Sequence, residues 1–175
     1  VGTTTYTFTL SLDAMVDTNV SVNYQSANDS ATAGTDYTAV SDTATFAGST
    51  SEQFTVNVSR DTLVELDEQF FINLSGLSAG GRRVTLADSL GVGGITTDDS
   101  ANLTIDDVTL NEGDVGNTSF TFTLSLDAMV DTNVSINYQS ADDSATAGTD
   151  YAAVSSSATF NGTTSEQFNI ERAHD

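Results

Sequence analysis

Tyr6, Phe8, Leu10 and Leu12 alternate with Thr and Ser in TYTFTLSL, the signature of a strand with one buried and one wet face. Val20, Val22 and Tyr24 repeat the pattern, as do Phe54, Val56 and Val58, and then Phe70, Ile72 and Leu74. The segments between them, AGTD, FAGSTS and SGLSAGG, are turn chemistry, in which Gly relaxes the backbone and Ser, Thr and Asp compete for its hydrogen bonds. No segment carries a helical period with caps. Short strands with one apolar face, evenly spaced by such turns, predict an all-β chain folded as an antiparallel β-sandwich.

The pattern is written twice. VGTTTYTFTLSLDAMVDTNVSVNYQS returns as VGNTSFTFTLSLDAMVDTNVSINYQS with a period of about 114 residues, long enough for a whole domain rather than a solenoid repeat. Where the copies differ, Tyr6 becomes Phe120 and Val22 becomes Ile136, so size and apolarity are kept and these positions belong to the core. The period assigns residues 1–100 to a first domain lacking its first strand. Residues 101–175 form a second, lacking its last strands, since LTIDDVTLNEGD precedes only the second copy and DTLVELDE follows only the first. In the second copy Arg172 stands where the inward-facing Val58 stands in the first. An unpaired guanidinium in a core is costly, which predicts fraying after Ile170 and a loose tail carrying the lone His174. Two incomplete sandwiches expose sheet edges, which leaves two readings: neighbouring copies of the protein or repeat complete one another by strand exchange, head to tail, or the ends are simply where a longer protein was cut.

Charge narrows the partners. The chain holds 25 Asp and Glu against 4 Arg and no Lys, for a net charge of −21. Phosphate recognition needs clustered cations, so nucleic acid is an unsuitable partner, and anionic membrane surfaces are disfavoured for the same reason. No apolar run approaches the length of a membrane helix, so no membrane insertion is expected. Without Cys there is no disulfide, thiolate nucleophile or zinc–thiolate site. A Ser-His-Asp triad would need a structured His, and the absence of Lys rules out a Schiff base, so no enzyme is expected. The chain begins in mid-pattern, as a segment of something longer would.

The acids gather at Asp36, in RDTLVELDE (Asp61, Glu65, Asp67, Glu68), and at Asp98 and Asp99, all at strand ends. Connections of a sandwich cluster at its two poles, so acids distant in sequence can converge there. Ca²⁺ takes six to eight oxygens at about 2.3–2.6 Å from carboxylates, carbonyls and water, which three acidic loops could supply. ATAGTDY, present at residues 31–37 and 145–151, admits a second reading. Gly34 makes the turn, Asp36 bonds nearby backbone N–H groups, and Tyr37 packs as a corner aromatic.

The order NEGD, SATAGTDY, RDTLVELDEQF, TDDS resembles the Calx-β motif of sodium–calcium exchanger regulatory domains, integrin β4 and large bacterial surface proteins. The resemblance implies a seven-stranded immunoglobulin-like sandwich that binds Ca²⁺ at one end. It places ligands at Asp36 and Asp150 before the aromatic, and at Asp61, Glu65 and Glu68, with a backbone carbonyl at Leu63. It adds the closing pair Asp98 and Asp99, and Glu112 of the EG turn. Where the family often has paired Asp, this chain has Arg60-Asp61, which implies fewer ions or weaker binding. The expected function is a structural Ca²⁺-binding repeat of an extracellular or cell-surface adhesin, matrix or filament protein, touching its own neighbours and cell-surface or matrix ligands. A Ca²⁺-sensing regulatory pair that changes conformation on binding is the alternative.

Overall fold

The computed structural model describes residues 2–111, 116 and 118–172. Every paired strand in it is antiparallel. Glu112 and His174 lie outside the described residues. The chain forms two compact units, one of Val1–Asp61 with Leu66–Thr97, the other of Thr62–Glu65 with Asp98–Asp175.

Unit 1 contains β1 (Gly2–Ser11), β2 (Val20–Asn28), β3 (Ser41–Phe46), β4 (Ser51–Arg60), β5 (Glu68–Ser78) and β6 (Leu90–Ile95). One sheet is β1-β4 and the other β3-β2-β5-β6. The alternation read from sequence is what buries these strands: Phe54, Val56 and Val58 point inward from β4 while the residues between them do not. Phe70, Ile72 and the turn residues Ala31 and Tyr37 close the same core. Aromatic rings carry much of the packing, with Tyr24 stacked on Phe54 at 3.9 Å and Phe8 on the same ring at 5.3 Å.

Unit 2 contains β7 (Leu103–Ile105), β8 (Ser119–Leu126), β9 (Val134–Gln139), β10 (Ser155–Phe160) and β11 (Ser165–Glu171), paired as β11-β8-β7 and β10-β9. Leu124, Leu126 and Phe160 are its buried core, and Tyr138 on Phe168 at 4.0 Å repeats the Tyr24–Phe54 stack. Val64 also belongs to this unit: its N–H donates to Met129 O at 2.9 Å and its carbonyl accepts from Asp131 N at 3.1 Å.

The end of β11 corrects one expectation. The strand does not fray after Ile170: it runs to Glu171, whose carbonyl accepts from Ala152 N at 2.8 Å, and Arg172 N donates to Thr118 O at 2.9 Å. These bonds are made by backbone groups, and the Arg172 side chain is only half-buried. In unit 1 the matching position, Val58, packs in one cluster with Phe70.

Candidate metal centre

The ATAGTDY turn in unit 1 is built by its own side chains. Gly34 sits at φ 98°, the left-handed region that favours glycine, and its N–H donates to Tyr37 O at 2.8 Å. Asp36 N donates to Thr32 O at 3.0 Å, and Thr32 N returns a bond to Asp36 Oδ2 at 2.6 Å. The Thr35 hydroxyl adds 3.2 Å to the same oxygen. Each ATAGTDY Asp is therefore a turn acid: Asp150 Oδ2 accepts from Thr146 N at 2.7 Å in unit 2, with Gly148 at φ 87°. A cation would draw on the other oxygen and on spare lone pairs of Oδ2.

Backbone bonds fix where the turn stands. Ala31 N donates to Gln69 O at 2.9 Å at the start of β5, and Ser59 N donates to Asp36 O at 2.8 Å near the end of β4. The turn thus spans from one sheet of unit 1 to the other, at the end where β4 runs out into Asp61 and β5 begins at Glu68. Asp67 closes the same end by accepting from Thr97 N at 3.0 Å. Asp36, Asp61 and Glu68 are therefore carried to one pole of unit 1. Leu63, Glu65, Asp98, Asp99 and Asp150 belong to unit 2. Among the described residues, no group of three or more His, Cys, Asp or Glu stands ready to hold a metal ion. The donor chemistry still fits a hard cation, since the acids at this pole of unit 1 offer carboxylate oxygens.

Sequence reasoning missed the residue that anchors the turn. Asn28 Oδ1 accepts from the Tyr37 hydroxyl at 2.8 Å and from Ala33 N at 2.9 Å. In the second copy this position is Asp142, which makes the same two bonds with Tyr151 at 2.7 Å and Ala147 N at 2.8 Å. The exchange of Asn for Asp between otherwise matching stretches, SANDSATAGTDY and SADDSATAGTDY, is the available signal: the position conserves an acceptor oxygen and adds a charge.

That charge makes the second turn sensitive to pH. The Tyr151 hydroxyl, then Ala147 N–H, holds the Asp142 carboxyl below the usual carboxylate range, and the bond to Asp142 pushes the Tyr151 phenol up. The Asp142 contribution is present above an ordinary carboxylate pKa, about 3.9, and is lost as pH falls through the lowered value. The Tyr151 contribution is present below about pH 10 and is lost as pH rises through the raised value. Denaturation of wild type and Asp142→Asn across pH is expected to give a stability difference that shrinks at both extremes. A difference independent of pH would remove the pair.

The family model of the Calx-beta domain matches residues 2–109 and again 97–175. Among solved structures, the chain is similar to CBD12 from CALX1.2, with 22% identity over 96% of this chain and 69% of that one, at a TM-score of 0.50. It is similar to the calcium binding domain CBD12 of CALX1.1 at 21% identity, the same coverage of both chains and a TM-score of 0.50. These likenesses establish a shared fold, the immunoglobulin-like sandwich. Comparison with curated proteins finds no match. With two successive matches that together span nearly all of its residues, the chain belongs to the Calx-beta domain family and carries that domain in tandem.

Proposed function

We propose that this chain is a Ca²⁺-binding tandem module whose acidic end loops are reorganised by the ion, in the manner of a regulatory pair. The observation that carries it is the pinning of ATAGTDY to β4 and β5, which sets Asp36, Asp61 and Glu68 at one pole of unit 1. Like charges held together raise one another's cost, and a divalent cation relieves it. Asp36 would offer the carboxylate oxygen the turn does not use, and Asp61 and Glu68 would offer theirs. Leu63, Glu65, Asp98, Asp99 and Asp150 belong to unit 2, where they and Glu112 are the candidate ligands that the family pattern supplies. The solved relatives include a protein described as a calcium binding domain, which supports the choice of ion.

A second reading has its own support. The two copies are identical over Phe8–Ser21 and Phe122–Ser135, and a repeat copied so closely suits a spacer in an extracellular adhesin, matrix or filament protein. In that setting Ca²⁺ would only stiffen the module, and the partners would be neighbouring repeats and cell-surface or matrix ligands.

Thermal melting in EDTA and in millimolar Ca²⁺ tests the shared claim. An ion at roughly 100-fold excess over Kd is expected to add about 2.7 kcal/mol. Asp36→Asn keeps an acceptor for Thr32 N but removes the charge, and is expected to reduce the shift while leaving the EDTA melt near wild type. An unshifted wild-type melt would sink ion binding. Small-angle scattering with and without Ca²⁺ separates the readings: a changed profile favours the regulatory pair, an unchanged one the spacer.

A further inference from the structure

Asn161-Gly162 is the one Asn-Gly pair in the sequence, and it stands in the turn from β10 to β11. These strands belong to different sheets of unit 2, so the turn is a crossover and not a hairpin. The first copy makes the same crossover from β3 to β4 with Ala47-Gly48. The glycines match, at φ 65° for Gly162 and φ 74° for Gly48. So do the bonds around them. Leu126 N donates to Thr164 O at 2.9 Å, as Leu12 N does to Thr50 O. The Thr163 hydroxyl donates to Glu166 Oε1 at 2.9 Å, as that of Ser49 does to Glu52 Oε1 at 2.6 Å. An alanine serves this turn as well as an asparagine, so the Asn161 amide is not what holds it.

Asparagine is a thermolabile residue, and a following glycine leaves its carboxamide open to the chain itself, because no Cβ hinders the approach of the next backbone nitrogen. The surroundings of Asn161 add no obstacle. Asn161, Gly162 and Thr163 are all exposed, and nothing lies within 4 Å of the place where a Cβ on Gly162 would stand. Among the described residues, neither the Asn161 side chain nor Gly162 N–H has a hydrogen-bond partner. Other asparagines are tied down. Asn28 accepts from Tyr37 and Ala33, and Asn102 donates to Asp127, and each is followed by a residue with a side chain.

We propose that Asn161 is a site of spontaneous covalent modification, deamidated through a cyclic imide formed with Gly162. The Gly162 nitrogen gives its proton to solvent base and bonds to Asn161 Cγ. The Cγ–Nδ2 bond breaks, and ammonia leaves with a proton taken from water. Water then opens the five-membered ring. Cleavage at Cγ gives aspartate. Cleavage at the backbone carbonyl gives isoaspartate, in which the chain runs through Cγ and the α-carboxylate is free. Nothing is oxidised or reduced, and water is the only co-reactant. Either product gives unit 2 a further negative charge, and isoaspartate also adds one backbone carbon to the link between its two sheets. Unit 1, with Ala47 in the matching turn, cannot follow. No cation takes part, so the inference stands apart from ion binding.

The test keeps the folded full chain in EDTA at mildly alkaline pH and body temperature for days. Peptide mapping by mass spectrometry then follows Asn161 against Asn19 and Asn133, which are also exposed but are followed by valine. The one-dalton gain of an amide becoming an acid is expected at Asn161 roughly tenfold faster than at either control. The product is expected as two isomeric peptides, one of which accepts a methyl group from an isoaspartyl methyltransferase used as a reagent. Isoelectric focusing should show an acidic step that Asn161→Ala abolishes, a variant that matches the first copy and keeps the turn. Ala47→Asn is expected to add a second step from the corresponding turn of unit 1. An Asn161 that stays intact in the folded chain while the synthetic peptide of residues 158–166, ATFNGTTSE, converts would overturn the proposal. So would conversion no faster than at Asn19 and Asn133, or an acidic step that survives in Asn161→Ala.

Discussion

Tyr37→Ala is expected to lower the stability of unit 1 by about 3–5 kcal/mol, and Tyr151→Ala to cost unit 2 markedly less. The two tyrosines end identical heptapeptides, and their hydroxyls donate to neutral Asn28 and charged Asp142, so hydrogen bonding offers no reason for Tyr37 to count for more. Their surroundings do. Tyr37 is 1% exposed and its ring lies on Phe70 at 4.4 Å and 17°, inside the cluster that holds Val56, Val58 and Ile72. Truncation there leaves a cavity walled by rings and branched aliphatics that cannot collapse. Tyr151 is only half-buried. Urea denaturation, with hydrogen exchange to assign each transition to its unit, measures both costs. Equal losses would show that the hydroxyl bonds, and not the ring packing, set the contribution. Tyr37→Phe separates the two, since it removes only the bond to Asn28 and is expected to cost about 1 kcal/mol.

That contrast also marks how far the sequence was readable. A period of two reports which face of a strand is buried, and on that point Phe54, Val56, Val58, Phe70 and Ile72 are where the alternation puts them. It does not report what lies across the core. Arg172 was expected to break its strand because the position was assigned a closed core by analogy with Val58, yet the ladder continues through backbone bonds to Thr118 and Ala152. The grouping of Thr62–Glu65 with unit 2 was equally illegible, because it rests on bonds from Val64 to Met129 and Asp131, more than sixty residues away in the chain.

The candidate site divides in the same way. Asp36 could be read as ligand or turn acid, because both roles ask for a carboxylate beside a tight turn. In the folded turn Oδ2 accepts from Thr32 N, while the ion-binding role rests on chemistry and kinship. Asn28 went unnoticed because an Asx in a loop is common and its partner Tyr37 lies across the turn. Only the comparison of the two copies could have raised it, since a loop position that changes from Asn28 to Asp142 keeps its oxygen and little else.

Gly93→Val is expected to destabilise unit 1 by about 3 kcal/mol or more, at the upper end of overpacking substitutions. Gly93 pairs with Phe70 across β5 and β6, and a Cβ built on it would stand 2.3 Å from Cζ and 2.5 Å from Cε1 of that ring. Gly93 is absent from the positive-φ glycines, so close approach and not backbone freedom excludes a side chain here. The ring cannot step aside: Phe70 is fully buried, with Tyr37 stacked on it and Phe8 edge-on at 6.0 Å. Gly94→Val serves as the control, because nothing lies within 4 Å of its Cβ position and a β-branched residue suits a strand. Phe70→Leu removes the ring, so Gly93→Val should cost less in that background. A coupling of about 0.5–3 kcal/mol in the double-mutant cycle is the signature of direct contact. Additive losses would mean that Gly93 is needed for some reason other than the Phe70 ring, and would remove that ring as the explanation for a glycine in the middle of β6.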